Sequence, residues 1–292
     1  MPSLLSLITI VENGSINKAA EVLHISQSAL TRNITKLEQR LKAPLLDRSP
    51  KGVTLTIFGL AVLERAKIIK AEMHNAVADV EALKNNSVGR LRIGSTPMIL
   101  SYFLPIALEN LHRDAPHVAL HVTEGIRPYL LGQLRLGYLD VVVSSARFDG
   151  DEVDVTQRAL FELELALVVR PQHPLAGRGD LTLQELTGHQ WILPRADSSL
   201  SRHLEKEFTK VGAVFPRSSI QISSPEAVKS LVSATDLIAV VPSRAMQEEV
   251  ANGTFVALKG EWNFERRTVT AFLRQGARQT SLLTTLIQSL RK

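Results

Sequence analysis

From residue 30 to residue 41 the apolar positions Leu30, Ile34, Leu37 and Leu41 fall four, three and four residues apart, which stacks them on one face of an α-helix. Ser28, Arg32, Thr35 and Gln39 then take the opposite face. Ser26 stands where an N-cap is needed, because its hydroxyl can accept from a first-turn amide that has no partner within the helix. Gln27 and Ser28 follow at the helix tip. Upstream, residues 16–23 carry Ala19, Ala20 and Leu23 as an apolar face, His24 and Ile25 remain as a turn, and Leu4, Leu5, Ile8 and Val11 predict a first helix ending near Gly14.

Two close helices joined by such a turn make a helix-turn-helix. In that motif the second helix enters the major groove and its N-terminal residues meet base edges. Gln27 can bond an adenine edge and Arg32 a guanine or a phosphate, with Ser26, Ser28 and Thr31 beside them on the reading face. Residues 49–52, Ser-Pro-Lys-Gly, are a turn signal, and the alternation over 53–56 predicts a small wing with Arg48 and Lys51 at its phosphate-facing tip. A plain α-hairpin in a helical domain would explain the helices alone; the wing at this spacing favours DNA reading. Thr35 and Gln39 suit solvent as well as they suit DNA.

Thr56 can cap a long helix running to about residue 85 without an internal proline. Val62, Ala66, Ile69, Met73, Ala76, Val80 and Leu83 alternate by four and three, a coiled-coil seam of about three heptads. Such a seam must be covered, by its own domain or by a second chain. The second chain is preferred, because a two-fold protein suits a two-fold DNA site.

Beyond the polar stretch 85–89 the pattern changes to alternating strands and helices: strand 91–94, helix 102–111, strand 118–123, helix 128–136, strand 139–144. A second set has strands at 163–169, 191–193, 220–223 and 237–241, separated by helices at 200–211, 227–234 and 244–250. A strand at 268–273 and a helix at 282–290 return to the first set, giving two lobes with a cleft between them. The expected organisation is a DNA-binding domain over 1–58, a dimerising linker helix over 59–86 and a ligand-binding domain over 87–292. Its first lobe is about 87–160 with 268–292, and its second is about 161–267.

Composition sharpens part of this picture. Residues 1–58 hold seven Lys or Arg against four Asp or Glu, and six against two fall within 26–51, so the positive charge gathers on the helix-turn-helix and wing. Phosphate affinity follows such local charge. There is no cysteine, which excludes disulfides, thiolate zinc sites and thiol redox switches. No basic, then apolar leader precedes Lys18, and no apolar run approaches the roughly 18 residues of a bilayer span; a cytoplasmic protein without a membrane partner is expected. His117 and His121 would lie roughly 13 Å apart on a strand, too far to share a metal. Gly177-x-Gly179 lacks the third glycine and the setting of a dinucleotide site, and no catalytic set is present.

Gly14-Ser15, Ala19-Ala20-x-x-Leu23, Ser26-Gln27-Ser28-Ala29-Leu30, Leu37-Glu38, Leu45-Leu46-x-Arg48 and Leu55-Thr56-x-x-Gly59, in this order and spacing, resemble the LysR-type bacterial transcription regulators. Gly89-Arg90-Leu91-Arg92-Ile93-Gly94, Leu134-x-x-Gly137-x-Leu139-Asp140 and His173-Pro174-Leu175 extend the resemblance over the whole chain. The chain departs from the family at Ser28, Thr31, Ala43 and Asp47, and has Thr235-Asp236-Leu237 where many members carry Gly-x-Gly.

The resemblance implies an α+β multidomain fold: a winged helix-turn-helix, a dimerisation helix and a two-lobed α/β effector domain like the type 2 periplasmic binding proteins. It implies as partners double-stranded promoter DNA, a small-molecule effector, a second or further copies of the chain as dimer or tetramer, and RNA polymerase. No cofactor is implied. Ligands of open α/β sheets bind beyond strand ends and at helix N-termini, which singles out Ser95 and Thr96, Arg127, Arg195, Ser198 and Ser199. Their two-pronged arginines suit a carboxylate or sulfonate, although each of these residues fits an ordinary cap or surface position as well. The competing reading from another class is a cytosolic small-molecule-binding protein whose N-terminal helices only dimerise.

Overall fold

The computed structural model describes residues 1–49, 52–84, 89–146, 155–216, 218–262, 264–276 and 280–291. It contains two compact units, residues 1–89 with 135–138, and residues 90–134 with 139–292.

In the first unit α1 (Pro2–Asn13), α2 (Ile16–Val22) and α3 (Gln27–Leu41) enclose a core of Leu7, Ile10, Ala19, Ala20, Leu30, Ile34 and Leu45. Gly14 closes α1 at φ 64, a left-handed cap that glycine adopts without a Cβ penalty. β1 (Leu46–Ser49) and β2 (Gly52–Leu55) pair antiparallel, Leu46 opposite Leu55, as the expected wing. Several sequence signatures resolve into bonds here. The Glu38 carboxylate accepts from the amide of Leu45 at 2.8 Å, tying the end of α3 to the wing. Thr56 accepts from the Gly59 amide at 2.9 Å, capping α4 (Ile57–Lys84), and donates to the Pro44 carbonyl at 2.6 Å. A Cβ on Gly59 would run into the backbone oxygen of Leu45. Leu41, expected on the buried stripe, is instead exposed: it sits in the last turn before Lys42 ends the helix in a left-handed conformation, beyond the reach of the core.

The second unit begins with β3 (Arg90–Ser95), α5 (Pro97–Tyr102), α6 (Leu104–Asp114), β4 (Ala119–Glu124), α7 (Arg127–Arg135), β5 (Val141–Ala146) and β6 (Val155–Leu163). It continues with β7 (Leu165–Val169), α8 (Leu183–Leu186), β8 (Trp191–Leu193), α9 (Ser199–Lys210), β9 (Ser218–Gln221), α10 (Pro225–Ala234) and β10 (Ile238–Pro242). A 3-10 turn (Ser243–Met246), α11 (Gln247–Ala251), β11 (Val256–Ala257), β12 (Arg267–Arg274) and α12 (Ser281–Leu290) complete it. The strands form two five-stranded sheets, ordered β4-β3-β5-β12-β6 and β11-β7-β10-β8-β9.

The chain does return as expected: β12 pairs antiparallel with β5, and α12 buries Leu283, Leu286, Ile287 and Leu290 with Leu104, Ala107 and Leu111 of α6. In the second lobe Trp191 and Phe208 sit fully buried edge to face, with the indole donating to the Leu186 carbonyl at 3.0 Å.

Three expectations are corrected. The strand expected over 163–169 is a crossover, since Leu163 ends β6 in the first sheet and Leu165 opens β7 in the second. The first part of that ribbon, β6, alternates poorly between buried and exposed positions and carried no strand signal. The helix expected over 102–111 starts at Leu104 as α6, and Tyr102 instead ends the separate helix α5, because Pro105 in the first turn of α6 has no amide to continue a helix from above. The helix expected over 244–250 starts as a 3-10 turn and becomes α-helical only at Gln247.

Two family-like motifs pin the lobes. Asp140 accepts from the Arg92 backbone amide at 2.8 Å and its Nε at 3.1 Å, tying the start of β5 to β3. His173 is buried; its Nδ1 accepts from the Leu175 amide at 3.1 Å, which leaves Nε2 to donate to the Asp236 carbonyl at 3.2 Å. That imidazole therefore joins the end of β7 to the start of β10. Burial lowers its pKa from the ordinary 6.5, against a smaller opposing pull from the Asp236 carbonyl.

Candidate nucleic-acid interface and ligand cleft

At the N-terminal end of α3 the side chains of Ser26, Gln27, Ser28 and Arg32 are exposed, and Thr31 is half-buried beside them. Ser26 caps the helix as expected: its Oγ accepts from the Ala29 amide at 3.2 Å and lies 3.0 Å from the Ser28 hydroxyl. The preceding turn holds His24 at φ 52, a left-handed residue that redirects the chain between α2 and α3. Thr35 returns its hydroxyl to the Thr31 carbonyl at 3.1 Å, so it serves its own helix. Arg48 lies on β1 of the wing, but its side chain, and the whole of Lys51, fall outside the described residues.

The seam of α4 divides. Ala66 is 1% exposed against Ile8 and Leu63 of the same chain, and Val62 packs beside the core of the helix-turn-helix. Ala66 thus belongs to the first unit's own interior, a correction, since it has no surface left for a partner, whereas Val62 is half-buried. Ile69, Met73, Ala76 and Val80 are exposed, Met73 at 53%. The side chain of Leu83 lies outside the described residues.

In the second unit a cleft of about 200 Å³ is lined from both sheets. Thr96 and Arg127, at the N-terminal ends of α5 and α7, reach it, as do Arg195 and Ser198. Met98, Ile126, Leu165 and Ile192 give it apolar walls. Ser95, expected there, is fully buried and donates to the Val143 carbonyl at 3.2 Å, serving the sheet instead. The Arg195 guanidinium is bonded by Nε and Nη2 to Asp197, at 3.0 and 2.9 Å, so part of its charge is already met within the chain. That bond holds the Asp197 carboxyl below its ordinary pKa. Ser198 caps α9, accepting from the Ser201 amide at 3.0 Å. Ser199 does not line the cleft, and its side chain lies outside the described residues.

Sequence reasoning missed the most buried cation of the cleft. Arg267, at the first position of β12, is 5% exposed, lines the cleft and donates from Nη2 to the Ser145 carbonyl at 3.3 Å. Ser144 and Ser145 line it as well, near the carboxyl end of β5. The rule that ligands sit beyond strand ends pointed to them. For Arg267 the available signal was a charged residue abutting the apolar strand 268–273.

Residues 2–60 match the bacterial regulatory helix-turn-helix protein, lysR family, and residues 84–292 match the LysR substrate binding domain. The chain belongs to the LysR family. This LysR regulator is 30% identical over 254 residues to the HTH-type transcriptional regulator GbpR of Rhizobium radiobacter, covering 86% of this chain and 83% of that one. It superposes on a full-length OxyR variant from Pseudomonas aeruginosa with a TM-score of 0.67 at 23% identity, over 99% of this chain and 94% of the other. Full-length CbnR complexed with its target DNA gives 0.65 at 22%, over 99% and 98%. A LysR protein is a DNA-binding transcription regulator with an effector-binding domain, acts on double-stranded DNA as an oligomer, and is not an enzyme as a class. Among the described residues no helix is long and apolar enough to cross a membrane.

Proposed function

We propose that this regulator reads its promoter through Gln27 and Arg32, with Ser26, Ser28 and Thr31 beside them, while Arg48 and Lys51 of the wing meet phosphates. The observation that carries the reading is the exposed polar tip of α3 on a capped helix whose other face is committed to the core. Two copies joined through Ile69, Met73, Ala76 and Val80 would present two such tips to a two-fold site. A small anionic effector would place its acid group near Arg267 and Arg127 and its body against Met98, Ile126 and Ile192. It would act by binding two arrangements of the protein with different affinity. The place of action is the cytoplasm, where the DNA is.

The test captures genomic fragments on the full-length protein, sequences them and footprints the best one. An interrupted palindrome, enriched by the native protein and lost with Arg32→Ala and Gln27→Ala, is the expected result. Affinity should also fall by several decades between low and moderate salt if the dimer touches roughly six to ten phosphates. Enrichment that survives both substitutions would remove α3 from the reading role.

A further inference from the structure

His203 and Glu207 stand four residues apart on α9, one above the other on a single face of the helix. Glu265, from the segment leading into β12, comes to the same place: one ligand atom from each of the three lies within 4.8 Å of the others. His203 and Glu207 are each 7% exposed, which separates this group from the acidic clusters common on surfaces. Burying a carboxylate is costly unless its charge is met. Glu207 is met by Lys210, Nζ to Oε1 at 2.6 Å, but that lysine side chain is 58% exposed on a flexible stem. A denser charge can displace it outward at little cost.

We propose that His203, Glu207 and Glu265 form a binding site for one divalent transition-metal ion of the zinc class. The imidazole decides the class, since mixed nitrogen and oxygen sets suit Zn²⁺, Co²⁺ or Ni²⁺, whereas Mg²⁺ and Ca²⁺ favour oxygen throughout. An ion about 2.0–2.2 Å from each ligand holds tetrahedral ligand atoms roughly 3.4 Å apart. The three groups therefore close by up to about 1.4 Å on binding, and Glu265 is the exposed one of the three, on a connecting segment. Three protein ligands leave a fourth position for water. The site shares its elements with the cleft: α9 starts from Ser198, and Glu265 lies two residues before Arg267.

The test uses the full-length protein, stripped with a chelator and titrated with Zn²⁺ against a chromophoric competitor, and with Co²⁺ for its visible ligand-field bands. One ion per chain is expected, with tetrahedral Co²⁺ absorption. Glu265→Gln, which changes an exposed side chain, should weaken binding about tenfold or more, and His203→Gln should do the same with the fold checked by circular dichroism. Lys210→Ala removes the competing cation and should tighten binding, an outcome that a purely structural ion-pair network does not produce. Absence of stoichiometric uptake, or Glu265→Gln binding as tightly as the native chain, overturns the proposal; if His203→Gln does not fold, the Glu265 and Lys210 variants decide it.

Discussion

The tip of α3 and the cleft of the second unit are both built on capped helices, yet they treat their functional groups in opposite ways. At the tip, Gln27 and Arg32 project into solvent, and the groups that order them are behind the helix, in Leu30, Ile34 and the Glu38 bonds to the wing. In the cleft three arginines are held by the chain itself: Arg267 bonds to Ser145, Arg195 to Asp197, and Arg202 to the Asp197 carbonyl at 2.7 Å. A surface that reads a rigid polyanion can leave its long side chains to be ordered by the partner. A cleft that selects one small molecule loses less on binding when its donors are already placed. Damage to the framework should therefore abolish reading at the tip, whereas damage in the cleft should be graded, side chain by side chain.

The sharpest break of that contrast is Gly59→Ala. The added Cβ meets the Leu45 backbone oxygen, which leads into the wing and cannot swing aside. About 3 kcal/mol of destabilisation is expected, the upper end for overpacking, with DNA affinity lost although no contact residue has changed. Thermal melts and footprinting measure the two effects; a stable protein that fails to bind would show that Gly59 acts by another route. Next in size is Arg267→Met. Removing a charged hydrogen-bond donor should cost an anionic effector about 1.5–3 kcal/mol, a roughly ten- to hundredfold weaker response in a promoter-release assay. DNA binding without effector should stay unchanged, and a response that survives intact would exclude Arg267 from the site.

The same contrast explains what could be read from the chain beforehand. The tip of α3 is contiguous: its helices, cap, turn and wing all lie within residues 16–55, so periodicity and capping chemistry placed Ser26, Gln27, Ser28 and Arg32 on the exposed face where they stand. The cleft gathers segments from Thr96 to Arg267. Local pattern can place each segment's strand end, which put Thr96, Arg127 and Ser198 on the cleft wall, but not which way a side chain turns once sheets form. Ser95 turned inward to Val143, and Arg267, near the opposite end of this domain's sequence, was carried into the site by antiparallel pairing of β12 with β5. The split of the α4 seam has the same cause: spacing showed one apolar stripe, and only packing against Ile8 and Leu63 showed that Ala66 was already covered.

A pH profile probes the framework of the cleft. Burial depresses the His173 pKa below the ordinary 6.5, so the folded state favours the neutral ring. Its contribution to stability is full above that unfolded-state value and is lost as pH falls from there through the lower folded-state pKa, because the unfolded chain then binds a proton that the native state resists. The slope cannot exceed one proton, about 1.4 kcal/mol per pH unit. Native protein should lose stability between about pH 7.5 and 5 more steeply than His173→Gln. Parallel profiles would mean that the ring is protonated in place at no cost.

The smallest expected effects compare the two regions most directly. Ser26 and Ser198 are both N-caps, each accepting from the amide three residues on, so each Ser→Ala change should cost about 1 kcal/mol of stability. Function would fall in either case, and the alanine variants alone cannot tell a cap from a contact. Aspartate can, because it caps as well as serine while adding a negative charge. Ser26→Asp should keep the melting temperature and weaken DNA binding, most strongly at low salt where phosphate repulsion is least screened. Ser198→Asp should likewise keep the fold and weaken an anionic effector, but with less salt dependence, since Ser198 is half-buried whereas Ser26 is exposed, and partly buried charges are screened less. Equal salt dependence at the two positions would mean that the cleft is as open to solvent as the helix tip, and that the ordering of its arginines owes nothing to enclosure.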